Sequence, residues 1–189
     1  EHLMWVSGQS DEVSTAILEL YQLYPGMEKV RPSLCFSPQL VVRVVLPLLF
    51  QNNGPMIFEL DLSHSKDLIT DELLELIAQK LPNLARLDLS GCSSFSTYAL
   101  QHVFQGCRKI SDLSIACCRQ IEDSPMAALL DTGENLRRLS IASCHLLSNG
   151  VVSVIGRHCL KLESIDISSS TITLPSALPC HRTGSARRR

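Results

Sequence analysis

The sequence predicts an α/β solenoid, with parallel strands on a concave face and helices on a convex one. Three observations predict it: a repeat of nearly fixed length, apolar alternation in the first half of each repeat, and helical spacing in the second half. From residue 84 the chain repeats every 26 residues: Leu84, Leu87, Leu89 and Cys92 recur as Ile110, Leu113, Ile115 and Cys118, then as Leu136, Leu139, Ile141 and Cys144. Leu162, Ile165, Ile167 and Ser170 open a fifth unit, and Ile57, Leu60, Leu62 and Ser65 stand one unit earlier at a spacing of 27. Self-similarity of this period, in the form L-x-x-L-x-L-x-x-C, is the signature of a leucine-rich-repeat solenoid.

Residues 1–56 do not fit the repeat. They are expected to form a helical N-terminal cap, because the terminal unit of a solenoid must shield an apolar end. Within them Glu12 to Tyr24 reads as a helix stopped by Pro25-Gly26, and Ser37 to Phe50 as a second apolar segment in which Pro47 is a kink or stop. Gln51 to Pro55 reads as a turn. The repeats then occupy 57–173, about five with the last incomplete. In each, the pairs Leu60 and Leu62, Leu87 and Leu89, Leu113 and Ile115, Leu139 and Ile141, and Ile165 and Ile167 alternate with other residues. Period-two alternation reads as a strand with one face buried.

The second half of each repeat changes period. Leu74, Ile77, Ala78 and Leu81 align with Leu100, Val103, Phe104 and Cys107, with Met126, Leu129, Leu130 and Gly133, and with Val152, Ile155, Gly156 and Cys159. Such spacing makes one apolar stripe on a helix. Thr70, Ser96 and Ser148 stand at the helix entrances, where a hydroxyl accepts from an orphan backbone N–H. Asp71 and Glu72 complement a positive helix end, and Pro125 fits only a first turn. Pro82-Asn83, Gly106 and Gly133 are the stop signals. Strands joined through helices run parallel with right-handed crossovers. Stacked helices need ~8–10 Å each and strands ~4.8 Å, so the stack is expected to curve into a horseshoe. After Ile172 neither period continues; a shortened or alternative C-terminus is the expectation, with 174–189 a disordered basic tail.

The 189 residues are 45% hydrophobic with a formal charge of −2. Arg182, Arg187, Arg188 and Arg189 contribute +4 to the tail, so residues 1–173 carry −2 − 4 = −6. An acidic body argues against nucleic acid, which demands a positive stripe. The most apolar run, Leu40 to Phe50, contains Arg43 and Pro47 and falls far short of the ~20 residues of a spanning helix, so no membrane role is expected. No signal peptide or Asn-x-Ser/Thr acceptor occurs, and the chain opens on Glu1, so residues preceding it are expected. Among eight cysteines, Cys92, Cys118 and Cys144 fall at one position per repeat, and Cys107 and Cys159 share another. Equivalent positions face the same way, so these read as reduced, buried, structural thiols, and the expected location is cytoplasmic or nuclear. Neighbouring Cys117-Cys118, His145 and His158 lack zinc-ligand spacing. Nothing resembles a nucleophile elbow, a phosphate loop or paired carboxylates. No enzyme activity, cofactor or metal is expected.

The outward positions of the strands are the candidate site. With the alternating leucines inward, Glu59 and Asp61, Arg86 and Asp88, Asp112 and Ser114, Arg138 and Ser140, and Asp166 point into the concave face. One column reads Glu59, Arg86, Asp112, Arg138, Ser164; the next reads Asp61, Asp88, Ser114, Ser140, Asp166. Two uses stay open for the first column. Its charges neutralise each other across neighbouring strands, each pair contributing ~0.2–1 kcal/mol, or they meet a protein partner, and both can hold at once.

Cys92, Cys118 and Cys144, each followed three residues on by Phe95, Ile121 or Leu147, together with Ile69-Thr70-Asp71, Cys107-Arg-Lys-Ile110 and Cys159-Leu-Lys-Leu162, resemble the cysteine-containing leucine-rich repeats of F-box/LRR proteins. The resemblance covers 57–172. It implies a protein-interaction module, the substrate-recognition arm of an SCF-type E3 ubiquitin ligase, binding a protein substrate on the concave face. The F-box itself is not evident: Asp11-Glu12-Val13 and Ile17-Leu18 echo its opening, but its Asp-Leu, Val-Cys and Trp signals do not follow in order. An F-box upstream of Glu1 would hold the ligase adaptor Skp1. Without one, the chain reads as a leucine-rich-repeat scaffold or regulatory isoform with no ubiquitin-ligase role.

Overall fold

The computed structural model describes residues 29–30, 46–63, 65, 68–123, 126 and 134–172. Among them, one parallel sheet runs in sequence order through β1 (Lys29–Val30), β2 (Glu59–Asp61), β3 (Arg86–Asp88), β4 (Asp112–Ser114), β5 (Arg138–Ser140) and β6 (Ser164–Asp166). The helices are α1 (Leu46–Asn53), α2 (Asp71–Lys80), α3 (Thr97–Gly106) and α4 (Asn149–His158). Asp123 and Met126 are also helical, in the third repeat. The architecture is the expected α/β solenoid of parallel strands and helices.

The fixed repeat length sets the register. Leu60, Leu87, Leu113, Leu139 and Ile165 lie side by side across the sheet. The four leucines are buried and Ile165, on the last strand, is half-buried. Beyond each strand the ladder continues: the N–H groups of Leu62, Leu89, Ile115 and Ile141 donate to the carbonyls of Asp88, Ser114, Ser140 and Asp166 at 2.8–3.0 Å. Two residues further on, the chain turns through a left-handed conformation at Gly91 (φ 75°), Cys117 (62°), Ser143 (57°) and Ser169 (55°). Only the first of these is glycine. Their N–H groups at 91, 117 and 143 donate to Ala116, Ala142 and Ser168, so the sheet requires the left-handed residue at this point whatever its side chain.

The helices close the core on the leucine side. Leu74, Ile77 and Leu81, then Leu100, Val103, Phe104 and Cys107, then Val152, Ile155 and Cys159 are buried, as the spacing predicted; Ala78 and Gly156 are half-buried. Met126 is buried, whereas Leu129, Leu130 and Gly133 lie outside the described residues. Gly106 sets how closely α3 approaches α2: a Cβ there would stand 2.1 Å from the Ala78 carbonyl oxygen. Ser96 Oγ accepts from Ala99 N at 3.2 Å and Ser148 Oγ from Gly150 N at 3.1 Å, both true caps. Thr70 occupies the same position but makes no side-chain cap bond; the expected hydroxyl acceptor is absent there, and Asp71 and Glu72 in the first turn supply favourable charge instead.

The cap segment differs from its helical expectation. Lys29–Val30 adds a strand beside β2. Pro47 neither kinks nor stops a helix but sits second in α1, in the first turn, where its missing N–H leaves no bond unmade. The helix also runs through Asn53, where a turn was expected, and a 3-10 turn follows at Gly54–Met56. The helix expected over Glu12 to Tyr24 and the tail at 174–189 lie outside the described residues.

Cys92, Cys118 and Cys144 are buried free thiols. Each Sγ–H donates to a carbonyl of the preceding repeat: Leu62 at 3.5 Å, Leu89 at 3.3 Å and Ile115 at 3.1 Å. Cys107 does the same to Ile77 at 3.6 Å. Burial pushes the Cys107 thiol up to about 12. Burial, reinforced by the neighbouring Cys144 and Cys92, takes Cys118 to about 12 as well. Cys159 rises to about 11 and Cys144 also rises, both chiefly through burial.

Candidate functional site

The sheet register brings all nine candidate residues onto one face, opposite the buried leucines. Glu59, Arg86, Asp112 and Arg138 align in one row across the strands, ending at Ser164; Asp61, Asp88, Ser114, Ser140 and Asp166 align in the next. All nine are half-buried or exposed.

The first row resolves into two separate ion pairs. Arg86 Nη1 bonds Glu59 Oε1 at 3.1 Å, and Arg138 Nε bonds Asp112 Oδ1. Asp112 also accepts from Ser111 Oγ at 2.7 Å. Burial works to raise the Asp112 carboxyl, but the bonds from Arg138 and Ser111 and the charges of Arg138 and Arg86 outweigh it and hold it below its ordinary value. Arg86 thus acts on Asp112 as a nearby charge and bonds Glu59 instead.

The second row is tied mainly to its own backbone. Asp61 Oδ1 accepts from Ser63 N at 3.2 Å and Ser63 Oγ at 2.7 Å. Asp88 Oδ1 does so from Ser90 at 2.9 and 2.5 Å, and Asp166 Oδ1 from Ser168 at 3.0 and 2.6 Å. The Ser168 hydroxyl and N–H keep the Asp166 carboxyl below its ordinary value. Where the row changes to serine, Ser114 Oγ lies 2.7 Å from Ser90 Oγ and Ser140 Oγ donates to Asp166 Oδ2 at 3.4 Å. These aspartates therefore stabilise the turn after each strand whatever else they meet. The signal was present as Asp-x-Ser at 61–63, 88–90 and 166–168, an Asx-turn pattern.

A further set of bonds escaped the sequence reading. At the helix-to-strand junctions, Asn83 Oδ1 accepts from Lys109 Nζ at 2.7 Å and Asn135 Oδ1 from Lys161 Nζ at 2.8 Å. Asn83 and Asn135 also donate to the Pro55 and Arg108 carbonyls. At the helix entrances, Asp71 Oδ1 accepts from Ser96 N at 2.6 Å and Asp123 Oδ1 from Ser148 N at 2.7 Å. Arg137 pairs with Glu163. Each bond links adjacent repeats, and most recur at every second one.

Among the described residues no cluster of three or more His, Cys, Asp or Glu is placed to hold a metal ion. Among them, no helix is long and apolar enough to cross a membrane. No protein-family model matches the chain. Over 116 residues it is 29% identical to F-box/LRR-repeat protein 4 of Bos taurus, a match covering 60% of this chain and 18% of that protein. Over 126 residues it is 29% identical to a transport inhibitor response 1-like protein of Oryza sativa subsp. japonica, covering 66% of this chain and 21% of that protein. A superposition on the crystal structure of the Rad7 and Elc1 complex in yeast has a TM-score of 0.49 with 17% identity, covering 88% of this chain and 35% of that one. The chain thus spans about a fifth of the length of the curated relatives it matches, and over that span its cysteine-containing leucine-rich repeats are similar in sequence to those of F-box/LRR-repeat proteins.

Proposed function

We propose that the chain is a protein-interaction module, the substrate-recognition arm of an SCF-type ubiquitin ligase, whose open sheet face is the concave wall of a horseshoe and holds a protein substrate. The sequence similarity to F-box/LRR-repeat protein 4 across the repeats carries this reading. It is supported by a sheet face on which Glu59, Arg86, Asp112 and Arg138 stand in a register fixed by the backbone. Buried free thiols, which persist in a reducing setting, support a cytoplasmic or nuclear location. The second reading, a repeat scaffold without a ligase role, rests on the incomplete F-box signals at Asp11 to Leu18.

The test pairs two measurements on the protein expressed in cells. Skp1 co-purification reports the ligase role, and a photo-crosslinking residue at Ser114, compared with one at the exposed helix position Gln105, reports the face. Skp1 recovery with a protein crosslinked from Ser114 but not Gln105 is the expected outcome. A Ser114 crosslink without Skp1 selects the scaffold reading, and crosslinking from Gln105 alone overturns the assignment of the face.

A further inference from the structure

We propose that Arg86 and Arg138 form a two-point clamp for an acidic, extended segment of the partner whose carboxylates lie three residues apart. The inference rests on the open sheet face being the binding surface. Arg86 and Arg138 are aligned through Asp112, so they stand two strand spacings apart, roughly 10 Å.

Formally the row is balanced, yet its two signs are not equally presented. Arg86 is 44% exposed against 29% for Glu59, and Arg138 is 58% exposed against 14% for Asp112. In both pairs the guanidinium is the outer partner and the carboxylate the recessed one. An approaching chain therefore meets cations first. Each guanidinium commits one nitrogen to its own acid, Nη1 in Arg86 and Nε in Arg138. The rest of the donor fork stays available for a carboxylate, which matches it in planar, charge-assisted geometry.

The surroundings restrict where such a segment lies. Beside the arginine row, further along β4 and β5 and just beyond them, stand Ser114, Ala116, Ser140 and Ala142, small enough for a backbone to come close. Asp88 and Asp166 flank these serines in the second row and repel acid placed over it. Like charge facing like is what fixes register in a complex, so the acidic edge of the partner is confined to the arginine row. A polyproline II strand rises about 3.1 Å per residue with three residues per turn. It presents residues i and i+3 on one side about 9 Å apart, close to the two strand spacings that separate Arg86 from Arg138.

The experiment titrates the 15N-labelled full chain with three short proline-rich peptides at millimolar concentration, reading the arginine Nε–H signals. One peptide carries two glutamates three residues apart, one carries them adjacent, and one has glutamine in their place. The spaced glutamate peptide should shift the Arg86 and Arg138 signals together with one dissociation constant, and the glutamine peptide should shift neither. The adjacent glutamates, able to reach one arginine at a time, should bind about two- to fivefold more weakly, as expected for losing one exposed ion pair. Arg86→Gln or Arg138→Gln alone should weaken binding by the same factor. Arg108, whose Nε bonds the Gln105 carbonyl outside the face, should not respond.

Equal shifts with the glutamine peptide, an Arg108 response of equal size, or no shift at all overturns the clamp. A phosphoserine peptide that binds where the glutamate peptide does not also overturns it, in favour of phosphate recognition. The two proposals fail separately. If Ser114 crosslinks a partner while the titration is silent, the clamp falls and the recognition surface stands. If the titration succeeds and Skp1 never co-purifies, the ligase reading falls and the clamp stands.

Discussion

A buried cysteine here is a hydrogen-bond donor as well as a filler. The thiols of Cys92, Cys118 and Cys144 each close a carbonyl of the preceding repeat. The sequence showed where these thiols lie, since a fixed period puts them in one slot; it could not show which carbonyl each one meets. The pH consequence follows from the raised thiols. Cys107 and Cys118 stand at about 12 against an ordinary 9.0, so the folded chain keeps protons that the unfolded chain releases. Their contribution is fully present below pH ~9 and is lost as pH rises from there towards ~12, by at most about 1.4 kcal/mol per pH unit for each thiol. Urea denaturation at about pH 8, 9.5 and 10.5 should show that decline, and Cys118→Ala should flatten it; an unchanged slope would remove the thiol from the explanation. The left-handed turn gives a second residue-scale outcome. A non-glycine residue in this conformation costs about 1–2 kcal/mol, so Ser143→Gly should stabilise the fold by up to ~1 kcal/mol after the entropy cost of glycine. Gly91→Ala should destabilise it by a similar amount, and opposite signs in thermal denaturation are the check.

Among the elements, legibility tracked periodicity. All five repeat strands were readable from the alternation, and in the first four of them the one leucine is enclosed while its neighbours are not. In β6, where no further strand follows among the described residues, Ile165 is only half-buried, and the alternation describes the sequence better than the burial. Lys29–Val30 was unreadable, since two residues carry no period and pair only because β2 offers an edge. Gly106 was read as a stop signal, yet the structure gives it a second task. Helix propensity alone makes Gly106→Ala favourable by about 1 kcal/mol. The new Cβ would meet the Ala78 carbonyl oxygen at 2.1 Å, however, and that is backbone rather than a movable side chain. The clash should win, for a net loss of about 1–3 kcal/mol, the usual range for overpacking. A stabilised variant in urea denaturation would show that α2 and α3 can separate without cost.

Across the whole molecule, the surface repeats at twice the length of the core. Leucine and cysteine recur every repeat, but Arg86 and Arg138, Asn83 and Asn135, Lys109 and Lys161, and Asp71 and Asp123 recur at 52 residues. The core needs every unit to be alike so that the units stack. A charged surface needs neighbours of opposite sign, and alternation satisfies that. The candidate rows were legible from strand period alone. The division of the first row into two ion pairs was not, because that depends on side-chain reach between strands; the aspartate-capped turns of the second were signalled by Asp-x-Ser and went unread. Reversing both arginines, Arg86→Glu with Arg138→Glu, separates stability from recognition. In the free protein the Glu59 pair is exposed enough to contribute only ~0–1 kcal/mol. The change beside Asp112 costs more, since a second carboxylate next to a recessed one disfavours its ionised form. That cost is itself pH-dependent: Asp112 now contributes stability above its ordinary range, which is lost as pH falls through its lowered folded value. The folded variant should therefore differ from the parent more at neutral pH than at about pH 3. Against an acidic partner edge, by contrast, like charge facing like costs several kcal/mol, so crosslinking from Ser114 should disappear while cooperative unfolding persists. The matched reversal of Arg108 and Lys109, at the helix-to-strand junction, should leave the crosslink intact. Retained capture in the first variant together with lost capture in the second would move the partner off the sheet and onto the rim.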